Sequence, residues 1–208
     1  MDSVETLRPY RGVQAAERLI QRREAFLDAG LELLSQGSGE LTVRAICGQA
    51  GIALRYFYEN FADKEVFAAA VYDRVIARLT AAIVDAAGAV PARYRNRAAM
   101  QTIVTTIAAD RRIGRLLFSD QLCNPVINAK RITSTQLLAT HYFTDLGAVL
   151  GTKPDQQMRA TGHFAVGGVA ATISAWLHGQ LEADPDTLIA SLTDLLDELT
   201  SRRLPFTR

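Results

Sequence analysis

The sequence predicts an all-α protein of about nine helices, and three observations carry that prediction. Apolar residues recur at helical spacing along most of the chain. Strand-like alternation never lasts more than a few residues, and hairpin dipeptides between β-branched runs are missing. Pro91, Pro125, Pro154 and Pro185 each fall at or just before the start of a periodic stretch, where a missing N–H costs a helix nothing.

Taken in order, residues 1–14 read as an arm, because Arg8-Pro9-Tyr10-Arg11-Gly12 is loop chemistry. A long helix follows over about 15–35, with Phe26, Ala29 and Leu33 on one face, and Gly37-Ser38-Gly39 ends it. Thr42 is placed to cap a short helix to about Ala50, Gly51 breaks the chain, and a second short helix covers about 53–59. Asp63 can cap a helix over about 64–86, whose apolar face holds Val66, Ala69, Val75, Leu79 and Ile83. Further helices are expected near 94–109, 111–120, 125–150, 155–181 and 186–203.

Composition limits the function classes. With 208 residues, 49% hydrophobic and 22% charged, the chain can bury a core without metal or disulfide staples. Cys47 and Cys123 suit a reducing compartment, and the first residues lack a signal-peptide pattern, so a cytoplasmic protein is expected. The net charge of +1 divides unevenly, −2 over residues 1–70, +6 over 71–140 and −3 over 141–208. A near-neutral total neither requires nor forbids nucleic acid, since a local patch decides that. Residues 160–181 contain no Asp, Glu, Lys or Arg. Thr161, His163, Thr172, Ser174, His178, Gln180 and four glycines in that run favour a helix covered by protein over one in a membrane.

The informative segment is Leu41 to Phe67, LTVRAICGQAGIALRYFYENFADKEVF. Two short helices about a glycine turn are the elements of a helix-turn-helix. Val43, Ile46 and Ala50 share a face, and Ile52, Phe57 and Phe61 can close a small core about the turn. Arg44, Arg55, Tyr56 and Tyr58 are left outside, a set suited to phosphate and base-edge contact in a major groove. Lys64 sits in the first turn of its helix, where a cation opposes the macrodipole. Either a phosphate bound there reverses the sign, or Glu65 offsets the charge.

The residues Thr42-Val43-Arg44-Ala45-Ile46, Ala50-Gly51-Ile52, Arg55-Tyr56-Phe57-Tyr58-Glu59-Asn60-Phe61 and Asp63-Lys64-Glu65 resemble the DNA-binding domain of the tetracycline-repressor (TetR) family, the match covering residues 22–67. The pattern departs at Ala53, where a capping serine is usual, at Arg55, where glycine is usual, and at Cys47, where alanine is usual. The resemblance implies an arm and three-helix DNA-binding domain over residues 1–68, and a larger helical ligand-binding and dimerisation domain over 69–208. It implies that Arg44, Arg55 and Tyr56 approach bases while Thr42, Tyr58 and Lys64 hold phosphates of double-stranded DNA. Arg8 and Arg11 would enter the neighbouring minor groove or neutralise backbone charge. The acids of the first helix, Glu17, Glu24, Asp28 and Glu32, must then lie away from the DNA.

The helix over 155–181 carries Gly162, Gly167, Gly168, Ala171 and Ala175 near four-residue spacing, and that over 186–203 carries an apolar stripe from Leu188 to Leu199. Two such helices per subunit would form a homodimer through a four-helix bundle. The resemblance also implies an effector cavity among the helices of 94–150 and 155–181, with Phe118, Cys123, His141, Tyr142, His163 and Trp176 as candidate ligand-binding residues. Apolar lining would favour an apolar or aromatic small molecule. The arginines from Arg93 to Arg115 fit an anionic ligand or a solvated surface. The expected activity is a ligand-responsive repressor on a palindromic operator, with population shift as the mechanism. The alternative is a ligand-binding or interaction protein of the same fold without sequence-specific DNA binding. Enzyme motifs such as G-x-S-x-G, H-E-x-x-H and C-x-x-C are missing, and no catalytic residue, metal or cofactor is implied.

Overall fold

A computed structural model describes residues 10–37, 41–119 and 124–201. Over these residues the chain is nine α-helices and a short 3-10 turn, without a strand. They are α1 (Tyr10–Ser35), α2 (Val43–Ala50), α3 (Leu54–Asn60), α4 (Lys64–Gly88), α5 (Arg95–Ala109), α6 (Arg111–Phe118), α7 (Pro125–Leu150), α8 (Gln156–Leu177) and α9 (Pro185–Ser201).

The caps anticipated from the sequence form. Thr42 Oγ1 accepts from Ala45 N–H at 3.2 Å and Asp63 Oδ1 from Val66 N–H at 2.7 Å. Pro125 opens α7 behind Asn124, whose side chain accepts from the amides of Val126 and Ile127. Two boundaries differ from expectation. First, α1 begins at Tyr10 and not near residue 15. One glycine costs a helix about 1 kcal/mol relative to alanine, so Gly12 alone does not stop it. Second, α8 ends at Leu177, because Gly179 takes φ 71° and Gln180 N–H turns back to Ala175 O at 2.9 Å. Arg8, Gly39, Glu40, Gln121 and Cys123 lie outside the described residues, as does the side chain of Arg11.

One continuous apolar core runs from Phe26 in α1 to Leu196 in α9. It includes Phe67, Val71, Tyr72, Val75 and Leu79 of α4, which faces α1, α5 and α7. In the second half, α7 lies along α8 and α5 along α9. Gly162 permits the α7–α8 contact, since a Cβ there would stand 2.7 Å from the Ala139 carbonyl oxygen. Gly167 and Gly168, by contrast, face open space. Among the described residues, no helix is long and apolar enough to cross a membrane.

Candidate nucleic-acid interface

The turn between α2 and α3 is fixed by backbone geometry. Gly51 takes φ 65°, a left-handed conformation that side chains disfavour, and Ile52 N–H closes on Cys47 O at 3.1 Å. This αL turn sets α3 across α2. Behind it, Ile46, Phe57 and Phe61 are buried. Phe57 meets Phe26 of α1 edge-on at 5.8 Å and lies 5.6 Å from Phe67 of α4, so one ring locks three helices. The Cys47 thiol is half-buried, and burial pushes its pKa up, which favours the thiol over the thiolate.

The outer face of this small core carries the predicted set. Arg44, Arg55 and Tyr58 are exposed, Tyr58 by 58%. Thr42 is exposed too; its oxygen holds the α2 cap by accepting from the Ala45 amide, and a hydroxyl that accepts in this way keeps one O–H donor. Lys64 lies half-buried in the first turn of α4, beside Glu65. Tyr56 departs from the expectation of an outside residue. It is half-buried, its ring covered by the Arg22 guanidinium 3.9 Å from the centroid. Its hydroxyl accepts from Arg55 Nη2 at 2.6 Å. Ala53, in extended conformation, gives α3 no side-chain cap, as its alanine dictates.

Sequence reasoning missed Arg22 and Arg23. Arg23 Nη1 donates to the Asn60 carbonyl at 3.1 Å, and its guanidinium lies over Phe61. The signal was present: Arg22 and Arg23 precede the buried Phe26 by four and three residues, so they share its face toward α3.

Three of the four acids of α1 pair with the body of the molecule, while Glu17 is exposed. Glu24 and Asp28 pair with Arg74 of α4 at 2.9 and 2.8 Å, and Glu24 also takes Arg78 at 2.9 Å. Glu32 pairs with Arg112 of α6 at 3.0 Å. These pairs offset part of the acidic charge of the first third within the protein itself.

Neither a family model nor a curated protein matches the chain by sequence. Solved structures match it closely in shape. The fatty acid degradation regulator FadR from Bacillus halodurans superposes with a TM-score of 0.68 at 18% identity, covering 88% of this chain and 96% of that one. A TetR-like transcriptional regulator from Rhodococcus sp. gives 0.64 at 22% identity, covering 88% and 95%. The regulator FadR from Bacillus subtilis in complex with stearoyl-CoA gives 0.64 at 18% identity, covering 83% and 96%. This chain has the TetR-family fold.

Within that fold the expected effector residues divide. Phe118 and Trp176 pack in the core, and Trp176 Nε1 donates to Ala183 O at 2.9 Å. Tyr142 is half-buried, yet its hydroxyl is covered and lacks a hydrogen-bond partner. Burial, aided by the Asp197 carboxylate, pushes its pKa up to about 12. His141 and His163 are exposed, so they line no interior cavity of this chain. Each lies near the helix face opposite the buried residues two positions away, Ala139 and Phe143 on α7 and Ala165 on α8. A cleft of about 240 Å³ opens elsewhere, between α1, α4, α5 and α6, lined by Leu31, Arg74, Val75, Leu79, Asp110 and Arg112 among others. None of the five expected residues that the structure describes lines it. Arg112 itself is held by Asp110 at 2.7 Å and by Glu32, which leaves an anion little reason to bind there.

Proposed function

We propose that this protein is a DNA-binding transcriptional regulator of the TetR type, a ligand-responsive repressor that binds a palindromic operator as a homodimer in the cytoplasm. The observation that carries the reading is α3, propped on α1 by the Phe26–Phe57 contact, with Arg44 of α2 and Arg55 and Tyr58 of α3 exposed. Arg44 and Arg55 would read base edges, while Thr42, Tyr58 and Lys64 would hold phosphates. The functional division falls after residue 68, with the reading head before it and the sensing and dimerisation region after it.

The dimer reading is supported by Phe164, exposed by 69%, by Leu195, exposed by 58%, and by the open face of Gly167 and Gly168. These stand on α8 and α9, the helices expected to pair. Contiguous exposed apolar surface marks interaction sites, and two subunits would place two recognition helices on successive major grooves. An apolar effector is in keeping with the stearoyl-CoA named for the Bacillus subtilis regulator and with the apolar surroundings of Phe118, Tyr142 and Trp176. Ligand-driven motion of α4 would reach the head through the Arg74–Glu24 and Arg74–Asp28 pairs. Only a ligand with different affinity for the two head spacings shifts that balance.

The test is selection of duplexes from a random pool, followed by fluorescence anisotropy of wild type and Arg55→Ala at two salt concentrations. A two-fold symmetric site, a steep salt dependence and weaker binding by Arg55→Ala are expected. Failure to enrich any sequence would overturn the DNA role and leave the fold as a ligand-binding scaffold.

A further inference from the structure

We propose that Arg22 of α1 is a positioning residue for Arg55, acting through the Tyr56 ring, and that this stack sets how sharply the protein discriminates base sequence. The functional half of the inference rests on the DNA reading above.

Adjacent residues on a helix do not face each other, so the contact between Arg55 and Tyr56 is not given by helix geometry. It exists because Tyr56 is held down. The Arg22 guanidinium covers its ring 3.9 Å from the centroid, while Glu59 stands 3.9 Å from Arg22 and offsets its charge. The Tyr56 carbonyl accepts from Asn60 Nδ2 at 2.8 Å, and the Asn60 carbonyl accepts from Arg23 at 3.1 Å. A ring fixed in this way offers Arg55 two attachments. The hydroxyl accepts from Nη2 at 2.6 Å, and the guanidinium carbon lies 4.5 Å from the ring centroid.

Arg55 is thus exposed yet oriented. A planar guanidinium has five N–H donors. One is engaged by Tyr56, and the remaining edge suits the paired acceptors of guanine in a major groove. Tyr56 with its hydroxyl engaged acts as a platform rather than a reader of bases. Orienting a long side chain before binding removes its ordering cost from the bound state, a gain of about 3- to 10-fold in affinity. A lysine at position 55 could not use this platform in the same way, since it lacks the planar fork.

The experiment uses the full chain and the duplex enriched by wild type, with random-sequence duplex as the reference. Tyr56→Phe removes the hydroxyl and keeps the ring; Arg22→Met keeps an unbranched stem and removes the cation. Thermal melts confirm that each variant folds. Each variant is expected to lose about 3- to 10-fold in preference for the enriched duplex, with its salt slope unchanged. In an Arg55→Ala background, Arg22→Met is expected to cost nothing further. Two results would overturn the proposal. One is an equal loss on enriched and random duplex with a salt slope lower by about 1, which makes Arg22 a phosphate contact. The other is tighter specific binding by Tyr56→Phe, which makes the stack a parked state of Arg55. If wild type enriches no sequence, the DNA reading fails, and the positioning half is still read by NMR of the free protein. Hindered rotation of the Arg55 guanidinium in wild type, lost in Tyr56→Phe, upholds it. Free rotation in wild type refutes it.

Discussion

Arg112 Nη1 of α6 lies 3.0 Å from the Glu32 carboxylate of α1. The same guanidinium grips Asp110 at 2.7 Å, so one arginine ties the body of the molecule to the helix that carries Arg22, Arg23 and Phe26. Its hydrogen bond holds the Asp110 carboxyl below the usual range. Glu32 is lowered by the Gln36 side chain first and Arg112 second. A carboxyl with a lowered folded pKa contributes stability above its unfolded value and loses it as pH falls through the folded one. With ordinary values of 4.5 and 3.8, that contribution is whole at neutral pH and is lost on acidification below them. Thermal melts from neutral pH downward are expected to show a steeper fall for wild type than for Arg112→Gln, whose carboxyls return toward ordinary values. Parallel curves would show that the pair does not couple to folding.

Gly30 shows a packing constraint that outweighs helix propensity. Replacing a mid-helix glycine by alanine normally gains about 1 kcal/mol. A Cβ at Gly30, however, would stand 2.5 Å from Phe67 Cζ and Val71 Cγ2. Phe67 is fully buried and wedged by Phe57 and Phe61 at 5.6 and 5.0 Å, so it has nowhere to move. Overpacking of this kind costs about 1–3 kcal/mol. Gly30→Ala is therefore expected to lower Tm by roughly 2–8 °C, measured by circular dichroism. A rise in Tm would mean that α1 and α4 can separate freely.

The sequence carried the helices well because their signals are local. Thr42, Asp63, Gly51 and Pro125 act within one turn of themselves, and each sits in the structure where its chemistry places it. The outward set of Arg44, Arg55 and Tyr58 was legible for the same reason, as a residue pattern on one short helix pair. Arg22 was not, because its role depends on how α1 crosses α3, a tertiary fact. Tyr56 was misplaced on the same ground, since a ring next to Arg55 reads as exposed until Arg22 covers it. His141 and His163 illustrate the opposite error: α7 and α8 mix small, polar and apolar residues around the helix and give no clear buried face in sequence, so their histidines were set inside when they stand outside.

The starts of α2 and α3 make a paired prediction. Thr42 caps α2, so Thr42→Ala is expected to cost about 1 kcal/mol. Ala53 leaves α3 uncapped with the extended backbone a cap residue needs, φ −65° and ψ 145°. Ala53→Ser is expected to gain a similar amount, about 1 kcal/mol, or roughly 2–4 °C in Tm. Differential scanning calorimetry of the two variants decides it. An unchanged Tm for Ala53→Ser would mean that the serine oxygen fails to reach the α3 amides.

Tyr142 carries a covered hydroxyl without a partner. An unpaired buried hydroxyl costs about 1–3 kcal/mol, while its ring packs against the main core. Tyr142→Phe is accordingly expected to raise Tm by roughly 2–12 °C, as read by thermal melting. A fall would show that the hydroxyl finds a partner in solution, which would strengthen its candidacy as a group that meets the effector.

The exposed side chain of Phe164 is the sharpest handle on assembly. It stands on α8 one turn from the bare surface of Gly167 and Gly168, with Leu195 exposed on α9. A charge placed there has no buried partner within the chain to disturb, so the monomer's own fold should survive. In a dimer through α8 and α9 the same charge would be desolvated against an apolar face, at a cost of several kcal/mol. Phe164→Asp is therefore expected to sediment as a monomer where wild type sediments as a dimer, with little change in far-ultraviolet dichroism. Its affinity for a symmetric duplex should fall far more than its affinity for a half-site, because only the dimer links two recognition helices. A variant that still sediments as a dimer would place the subunit contact on some other face.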